Sequence, residues 1–229
     1  MQGYVGYSTS HGAIVVAFRG SANIKNWISD FDAAQVGYSR CSGCNVHRGF
    51  YNSYSTVSSF VKTQVTTLTA KYRNAPIYVT GHSLGGAIAI VAALDIRATY
   101  GNAIKLYTFG EPRVGNAAFA SYVNSQIPDT FRVIHYADIV PHLPPAASNY
   151  KHTNYEVWYQ EDMKSYKVCN AEDAGCSNSV VPKLSTSDHD ISFYIKIVAV
   201  THFEKASKVL KNLRQAFENL SSAALLLSQ

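Results

Sequence analysis

The chain has 229 residues, of which 47% are hydrophobic and 15% charged, and its formal net charge is +5. This composition is typical of one globular domain with a substantial core, and it excludes a disordered chain. The basic residues are scattered, which argues against nucleic-acid binding, and no apolar run approaches the roughly 18 residues of a membrane span. No signal peptide is visible ahead of the first strand-like run, so we expect any leader to lie outside this numbering.

Strand and helix patterns alternate along the chain. The two kinds of element are distinguished by their hydrophobic periodicity and their content of β-branched residues, and turn residues mark the boundaries between them. The predicted strands are residues 3–8, 13–19, 31–38, 77–79, 104–109, 131–136 and 155–159, and the predicted helices are 22–30, 50–73, 84–96, 116–126 and 191–227. This alternation predicts an α/β fold with a largely parallel sheet and helices on both of its faces.

The four cysteines fall in two close pairs, Cys41/Cys44 and Cys169/Cys176. Two disulfides are the preferred interpretation, and they indicate an oxidising compartment and hence a secreted protein. A zinc site of four thiolates, a redox motif at Cys41-Ser42-Gly43-Cys44 and free thiols are the alternatives.

The segment Gly81-His82-Ser83-Leu84-Gly85 matches the G-x-S-x-G pattern of a nucleophile elbow. An apolar strand precedes it and an Ala- and Leu-rich helix follows it, which is the context that the pattern requires. The serine hydroxyl then projects at a helix N-terminus, where negative charge is favoured. We therefore predict that Ser83 is a nucleophile and that His82 is a packed, hydrogen-bonded histidine pointing away from it.

A nucleophilic serine needs a base, a group that orients the base, and donors for the oxyanion. Asp138 follows a strand on the same carboxyl edge as Ser83 and suits the orienting role, whereas Asp129 precedes that strand and is the weaker candidate. His189 lies in a loop before an apolar helix and is the preferred base. The alternative bases are His142, His152 and His202.

The oxyanion donors are expected at Leu84, the residue after the nucleophile, and at Ser21, in the loop after an early strand. Ser21 is also a candidate N-cap for the helix predicted at residues 22–30. One side of that helix is apolar and consists of Ile24, Trp27 and Ile28.

Taken together, these motifs resemble the fungal class 3 triacylglycerol lipase family of the α/β-hydrolases over about residues 3–194. The segments that carry the resemblance are Phe18-Arg19-Gly20-Ser21, Asn26-Trp27-Ile28, Cys41-Ser42-Gly43-Cys44, His47-Arg48-Gly49-Phe50, Thr80 to Ala87, Pro112-Arg113-Val114-Gly115-Asn116, Asp138-Ile139-Val140-Pro141 and Leu143-Pro144-Pro145. The family also follows its catalytic histidine with an aromatic pair, which Phe193-Tyr194 resembles.

The resemblance implies roles for individual residues. The implied catalytic triad is Ser83, Asp138 and His189, and the implied oxyanion hole is Ser21 with Leu84. It also implies that residues 22–30 form a lid and that Cys41 and Cys44 are bridged. In the family a helix precedes the segment that starts at residue 1 here, and we expect the tail at residues 201–229 to take the place of the family's usual end.

The tail carries an apolar seam that recurs every three or four residues. Its members are Phe203, Ala206, Leu210, Leu213, Phe217, Leu220, Ala224 and Leu227. We expect residues 1–200 to form the hydrolase domain and 201–229 a helical extension that docks on it. The alternatives are self-association through the same seam and a frayed, non-native extension.

The function that follows is a secreted carboxylic ester hydrolase, most simply a lipase acting on acylglycerols at a lipid–water interface. Its chemistry needs no metal and no organic cofactor. Two alternatives stay open: an esterase of soluble or aryl esters, such as feruloyl esters, and an inactive lipid-binding module. The apolar lid face favours a lipid substrate.

Overall fold

The computed structural model describes residues 2–21, 23–101 and 103–200. Its strands are Gly3–Ser8 (β1), Ala13–Phe18 (β2), Gln35–Gly37 (β3), Asn45–His47 (β4), Ile77–His82 (β5), Ile104–Phe109 (β6), Thr130–His135 (β7), Glu156–Tyr159 (β8) and Tyr166–Cys169 (β9). Its α-helices are Ile24–Ser29 (α1), Arg48–Ser55 (α2), Ser58–Lys71 (α3), Leu84–Tyr100 (α4), Ala117–Gln126 (α5) and Ile191–Val200 (α6).

Seven strands form the central sheet in the order β1-β2-β5-β6-β7-β8-β9. The five from β2 to β8 are parallel, while β1 and β9 pair antiparallel at the two edges. The predicted α/β fold with a largely parallel sheet is therefore confirmed. Because parallel strands end at one edge, the segments after β5 and β7 meet there.

The two faces of the sheet carry different core clusters. Strand β2 is wholly buried, and its side chains alternate between them, with Ile14, Val16 and Phe18 in one and Ala13 and Ala17 in the other. Helices α3, α4 and α5 pack in the first cluster. An aromatic-rich second cluster on the other face receives Tyr194 of α6. Helix α4 is buried along most of its length, as its apolar sequence predicts.

The prediction of one continuous helix at residues 50–73 is wrong, because two helices, α2 and α3, occupy the region. Thr56 and Ser58 donate their hydroxyls to the carbonyls of Ser53 and Ser55 at the break. Such side-chain bonds compete with the helical hydrogen bonds, so the Ser- and Thr-rich sequence ends one helix and starts another.

Two further differences concern short elements, and one prediction concerns residues that the structure does not describe. The strand expected at residues 31–38 is only Gln35–Gly37 and pairs with β4 outside the main sheet. Strand β9 was not predicted, because its residues are largely exposed and lack an apolar run. The predicted extension at residues 201–229 and the domain boundary before it lie outside the described residues.

Candidate active site

The elbow joins the end of β5 to the start of α4. Ser83 takes φ 58° and ψ −130°, a conformation rare for a residue with a side chain. Its N–H donates to the Phe109 carbonyl at 2.8 Å. A Cβ at Gly81 would lie 2.2 Å from the Gly85 carbonyl oxygen, and one at Gly85 would lie 2.2 Å from that of Phe18. The glycines are therefore required by close backbone contacts.

An aspartate and a histidine meet beside this elbow. His189 ends a short 3-10 turn, Ser187–His189, and its Nδ1 lies 2.8 Å from Asp138 Oδ2 and 3.0 Å from Oδ1. Asp138 is fully buried three residues beyond β7, and its Oδ1 also accepts the Val140 N–H at 2.9 Å. Burial alone would raise the pKa of Asp138, but the charge of His189 and the hydrogen bonds hold it below its ordinary value. Asp138 is thus an anion that can orient the imidazole.

Tyr194 is a third partner of this carboxylate, and the sequence reasoning did not assign it a role. Its hydroxyl donates to Asp138 Oδ2 and accepts the backbone N–H of His135 at 3.2 Å. The ring is completely buried against the second core cluster. A buried tyrosine on an apolar helix needs a hydrogen-bond partner for its hydroxyl. This requirement is the feature of the sequence that could have pointed to a role for Tyr194.

Ser83 and His189 line one cavity. Ser83 Oγ and His189 Nε2 are buried and have no hydrogen-bond partner among the described residues. Both residues line a cavity of about 740 Å³, together with Ser21 and Ile24. Since the other side of His189 is fixed by Asp138, its Nε2 is the nitrogen available to a group entering from this cavity.

The rival candidates lie elsewhere. His152 places its Nε2 2.6 Å from the Pro141 carbonyl, and His142 ends the 3-10 turn Val140–His142. Neither is among the residues that line the cavity. Asp129 is exposed before β7, at the opposite end of the strand from Asp138. His202 lies outside the described residues.

The predicted oxyanion donors flank the serine. Leu84 begins α4, and Ser21 follows β2 in a loop that presses on the elbow, because a Cβ at Gly20 would lie 3.0 Å from Ser83 Cβ. The Ser21 hydroxyl donates to the Asn23 carbonyl at 3.3 Å and accepts the Asn23 N–H at 3.2 Å. Ser21 was wrong as the helix cap: α1 begins at Ile24, and the Asn23 side chain accepts the Asn26 N–H.

Comparison with known proteins places this arrangement in a family. The family model described as Lipase (class 3) matches residues 15–148. The chain belongs to the class 3 lipase family. It is 41% identical over 187 residues to a lipase of Rhizomucor miehei, which covers 79% of this chain and 52% of that protein. It is 42% identical over 155 residues to secreted mono- and diacylglycerol lipase 1 of Fusarium solani, covering 68% of this chain and 46% of that protein.

Solved structures agree with the fold. The triacylglyceride lipase of Rhizomucor miehei superposes with a TM-score of 0.76 at 41% identity, covering 82% of this chain and 73% of that chain. A triacylglycerol lipase whose catalytic centre is described as a serine protease triad gives 0.75 at 40% identity, covering 81% and 72%. The chain spans about half the length of the curated relatives it matches.

In this class 3 lipase chain, the apolar face predicted for α1 is divided between two pockets. Ile24 lines the cavity of Ser83, whereas Trp27 lines a neighbouring groove of about 470 Å³. The indole packs 4.8 Å from the Phe31 ring and 6.3 Å from the Phe50 ring. Ile28 is half-buried. The single face expected over the serine is therefore split, because the indole packs into an aromatic cluster beside the cavity.

The cysteines form the two expected short-range disulfides, Cys41–Cys44 and Cys169–Cys176. The bonded sulfurs are not thiolates, so the zinc and free-thiol alternatives do not describe this state of the chain. Within residues 2–21, 23–101 and 103–200, no helix is both long enough and apolar enough to cross a bilayer.

A buried carboxyl lies near the site but outside it. Glu111 is 1% exposed. Burial, opposed in part by the charge of Arg132 and by the Thr108 hydroxyl, raises the pKa of Glu111 to about 7. The folded chain therefore binds the Glu111 proton more tightly than the unfolded chain, in which the pKa is about 4.5. The resulting stabilisation of the fold is fully present below about pH 4.5 and is lost as pH rises through 7.

We therefore expect Glu111→Gln to remove the part of the loss of stability at rising pH that is caused by ionisation of Glu111. The wild-type free energy of unfolding should fall between pH 5 and pH 8 by an amount on the order of 3 kcal/mol more than that of the variant. Urea unfolding at both pH values measures the difference. Glu161→Gln is the control, since Glu161 is exposed. Parallel pH profiles for Glu111→Gln and wild type would contradict the assignment.

Proposed function

We propose that the protein is a serine carboxylic ester hydrolase that acts on acylglycerols. The observation that carries the proposal is the cavity that Ser83 and His189 both line, while Asp138 holds Nδ1 of the imidazole and Nε2 has no other partner among the described residues. This is the order of groups that nucleophilic catalysis by serine requires. Relatives named as lipases support the acylglycerol class.

In this mechanism, Ser83 attacks the ester carbonyl while His189 removes the hydroxyl proton. Asp138 stabilises the resulting imidazolium, and the N–H groups of Leu84 and Ser21, together with the Ser21 hydroxyl, bind the oxyanion. His189 then protonates the departing alcohol, which leaves an acyl-enzyme. A water molecule, deprotonated by His189, attacks that ester and releases the fatty acid and the free serine.

Two isoleucines in the otherwise largely polar lining of the cavity support a lipid substrate over a dissolved ester. Ile191 lines the cavity and is 40% exposed, and Ile24 lines it from α1. An exposed apolar side chain gains free energy when it transfers from water to a lipid surface. We propose that α1 is the lid and that it moves with Ile24 and Trp27 at such a surface.

Two measurements test this function. A serine-directed phosphonate should label the wild type at Ser83 and leave Ser83→Ala unlabelled.

Hydrolysis of a short triacylglycerol should rise when its concentration passes its solubility, while a fully soluble ester shows no such rise. Trp27→Ser should reduce the rise more than it reduces soluble-ester hydrolysis. An unlabelled wild type would refute the hydrolase, and equal losses on both substrates would refute the lid.

The oxyanion proposal has its own test. Ser21→Ala removes the hydroxyl and keeps the backbone N–H, so we expect kcat on a soluble ester to fall by up to about 10²–10³-fold. Ser21→Thr retains a hydroxyl and is the control. If Ser21→Ala has the wild-type kcat, only the backbone at this position, or another group, binds the oxyanion.

Secretion and the C-terminal tail complete the proposal. Relatives named as secreted lipases and the two disulfides support an extracellular enzyme. Docking of residues 203–227 on the domain stays the prediction: deletion of residues 201–229 should lower thermal stability at unchanged monomer mass. A concentration-dependent dimer in sedimentation that the deletion abolishes would instead indicate self-association through the same seam.

A further inference from the structure

His82 packs against the general base and lines the same cavity as Ser83 and His189. It is the last residue of β5 and directly precedes Ser83. Its ring stacks on the ring of His189 with the centroids 4.5 Å apart and the planes inclined by 24°. Its Nε2 lies 3.0 Å from the His189 carbonyl oxygen. The ring stack and this polar contact thus join two residues separated by 107 positions in the chain.

The partner of the polar contact fixes the direction of the hydrogen bond. A carbonyl oxygen only accepts, so His82 donates and its proton is on Nε2. The bond holds the main chain of His189, while the stacked ring restricts rotation of the His189 side chain. Gly110 closes another side, since a Cβ there would lie 2.9 Å from His189 Nδ1.

His82 is also unable to compete for the proton of the nucleophile. Loss of hydration around the ring, followed by the nearby charge of His189, lowers the pKa of His82 to about 3. Asp138 and Asp190 oppose this shift only in part. Tyr194, whose ring centroid is 5.3 Å away, also faces it. A neutral ring stacked on His189 therefore stays neutral when His189 becomes an imidazolium.

We propose that His82 is a positioning residue, which holds the His189 imidazole through the bond to its carbonyl and the stacked ring, with Nε2 directed to Ser83. The proposal rests on the proposed hydrolase function. A general base needs a fixed geometry, and a displacement of about 1 Å can cost about 10²-fold in rate. The elbow strand thereby positions both the nucleophile and its base.

Three substitutions separate the two contacts. His82→Ala removes the ring and the donor, His82→Phe keeps a ring, and His82→Gln keeps an amide donor near the position of Nε2. On a soluble ester we expect His82→Ala to lower kcat by about 10–100-fold with KM changed less than twofold. His82→Phe and His82→Gln should each recover part of the loss.

His152→Gln is the matched control. His152 makes the same type of bond, from Nε2 to the Pro141 carbonyl at 2.6 Å, but it does not line the cavity. Its substitution should lower thermal stability and leave kcat within twofold. If His152→Gln lowers kcat as much as His82→Ala at equal loss of stability, the effect is general destabilisation and the inference is overturned.

A second readout does not depend on turnover. The His189 Nδ1–H bonded to Asp138 should give a low-field proton resonance that broadens in His82→Ala, because a loosened ring exchanges its proton with water faster. An unchanged resonance, or wild-type kcat in His82→Ala beside an inactive Ser83→Ala, overturns the inference alone. Absence of hydrolysis by the wild type would refute the proposed function, and the resonance would still decide the role of His82.

Discussion

Ser83→Ala, Asp138→Asn and His189→Ala should each lower kcat on a soluble ester by about 10⁴-fold. Removal of the serine removes the nucleophile, and removal of the imidazole leaves its hydroxyl protonated. Asparagine at position 138 can present its NH₂ group to Nδ1, which forces the proton onto Nε2, where it blocks the base. Initial rates with a chromogenic ester, at protein concentrations corrected for folded fraction, measure each loss.

The losses should not add, because the three groups act as a unit. The double variant of Ser83 and His189 should be about as slow as either single one. His142→Ala and His152→Ala are the controls, since both side chains lie away from the cavity lining. A normal rate in His189→Ala together with a large loss in either control would show that the wrong histidine has been assigned as base.

Gly85→Ala should disable both the elbow and the loop that carries Ser21. The new Cβ would lie 2.2 Å from the Phe18 carbonyl oxygen and 2.8 Å from the Arg19 carbonyl carbon, where ordinary contact begins at 3.4 Å. The end of β2 and the start of α4 must therefore separate by about 1 Å. We expect kcat to fall by about 10²-fold or more and the free energy of unfolding by about 3 kcal/mol.

Gly37→Ala is the control for this substitution, because a Cβ at Gly37 meets nothing within 4 Å. Denaturant unfolding and soluble-ester kinetics on both variants separate a local clash from a general effect of replacing glycine. If Gly85→Ala has the wild-type rate and stability, the backbone at the elbow can adjust and the close contact is not a requirement.

The parts of the site that the sequence predicts are those determined locally or by topology. The Gly81 to Gly85 pattern carries its own conformational requirement, so the elbow follows directly from it. Asp138 was placed on the correct edge of the sheet because parallel strands share one carboxyl end. His189 could then be chosen as the residue that a loop brings to that edge, and the structure brings the two side chains together.

The parts that the sequence misses depend on partners far away in the chain. Tyr194 looks like any aromatic residue at the start of an apolar helix until Asp138 is found beside its hydroxyl. The raised pKa of Glu111 follows from burial, which its own sequence neighbourhood does not indicate. The position of Trp27 was assigned from helical spacing alone, but the aromatic rings of Phe31 and Phe50 determine where it packs.

The double role of Tyr194 has a consequence for protein engineering. Its ring fills the aromatic layer beneath the sheet, and its hydroxyl holds the carboxylate of Asp138. Substitutions chosen to fill that layer better would shift the hydroxyl, so thermostability and turnover are not independent targets there. A library that varies this layer should therefore be screened for both traits at once, since melting temperature alone does not report whether the hydroxyl still contacts Asp138.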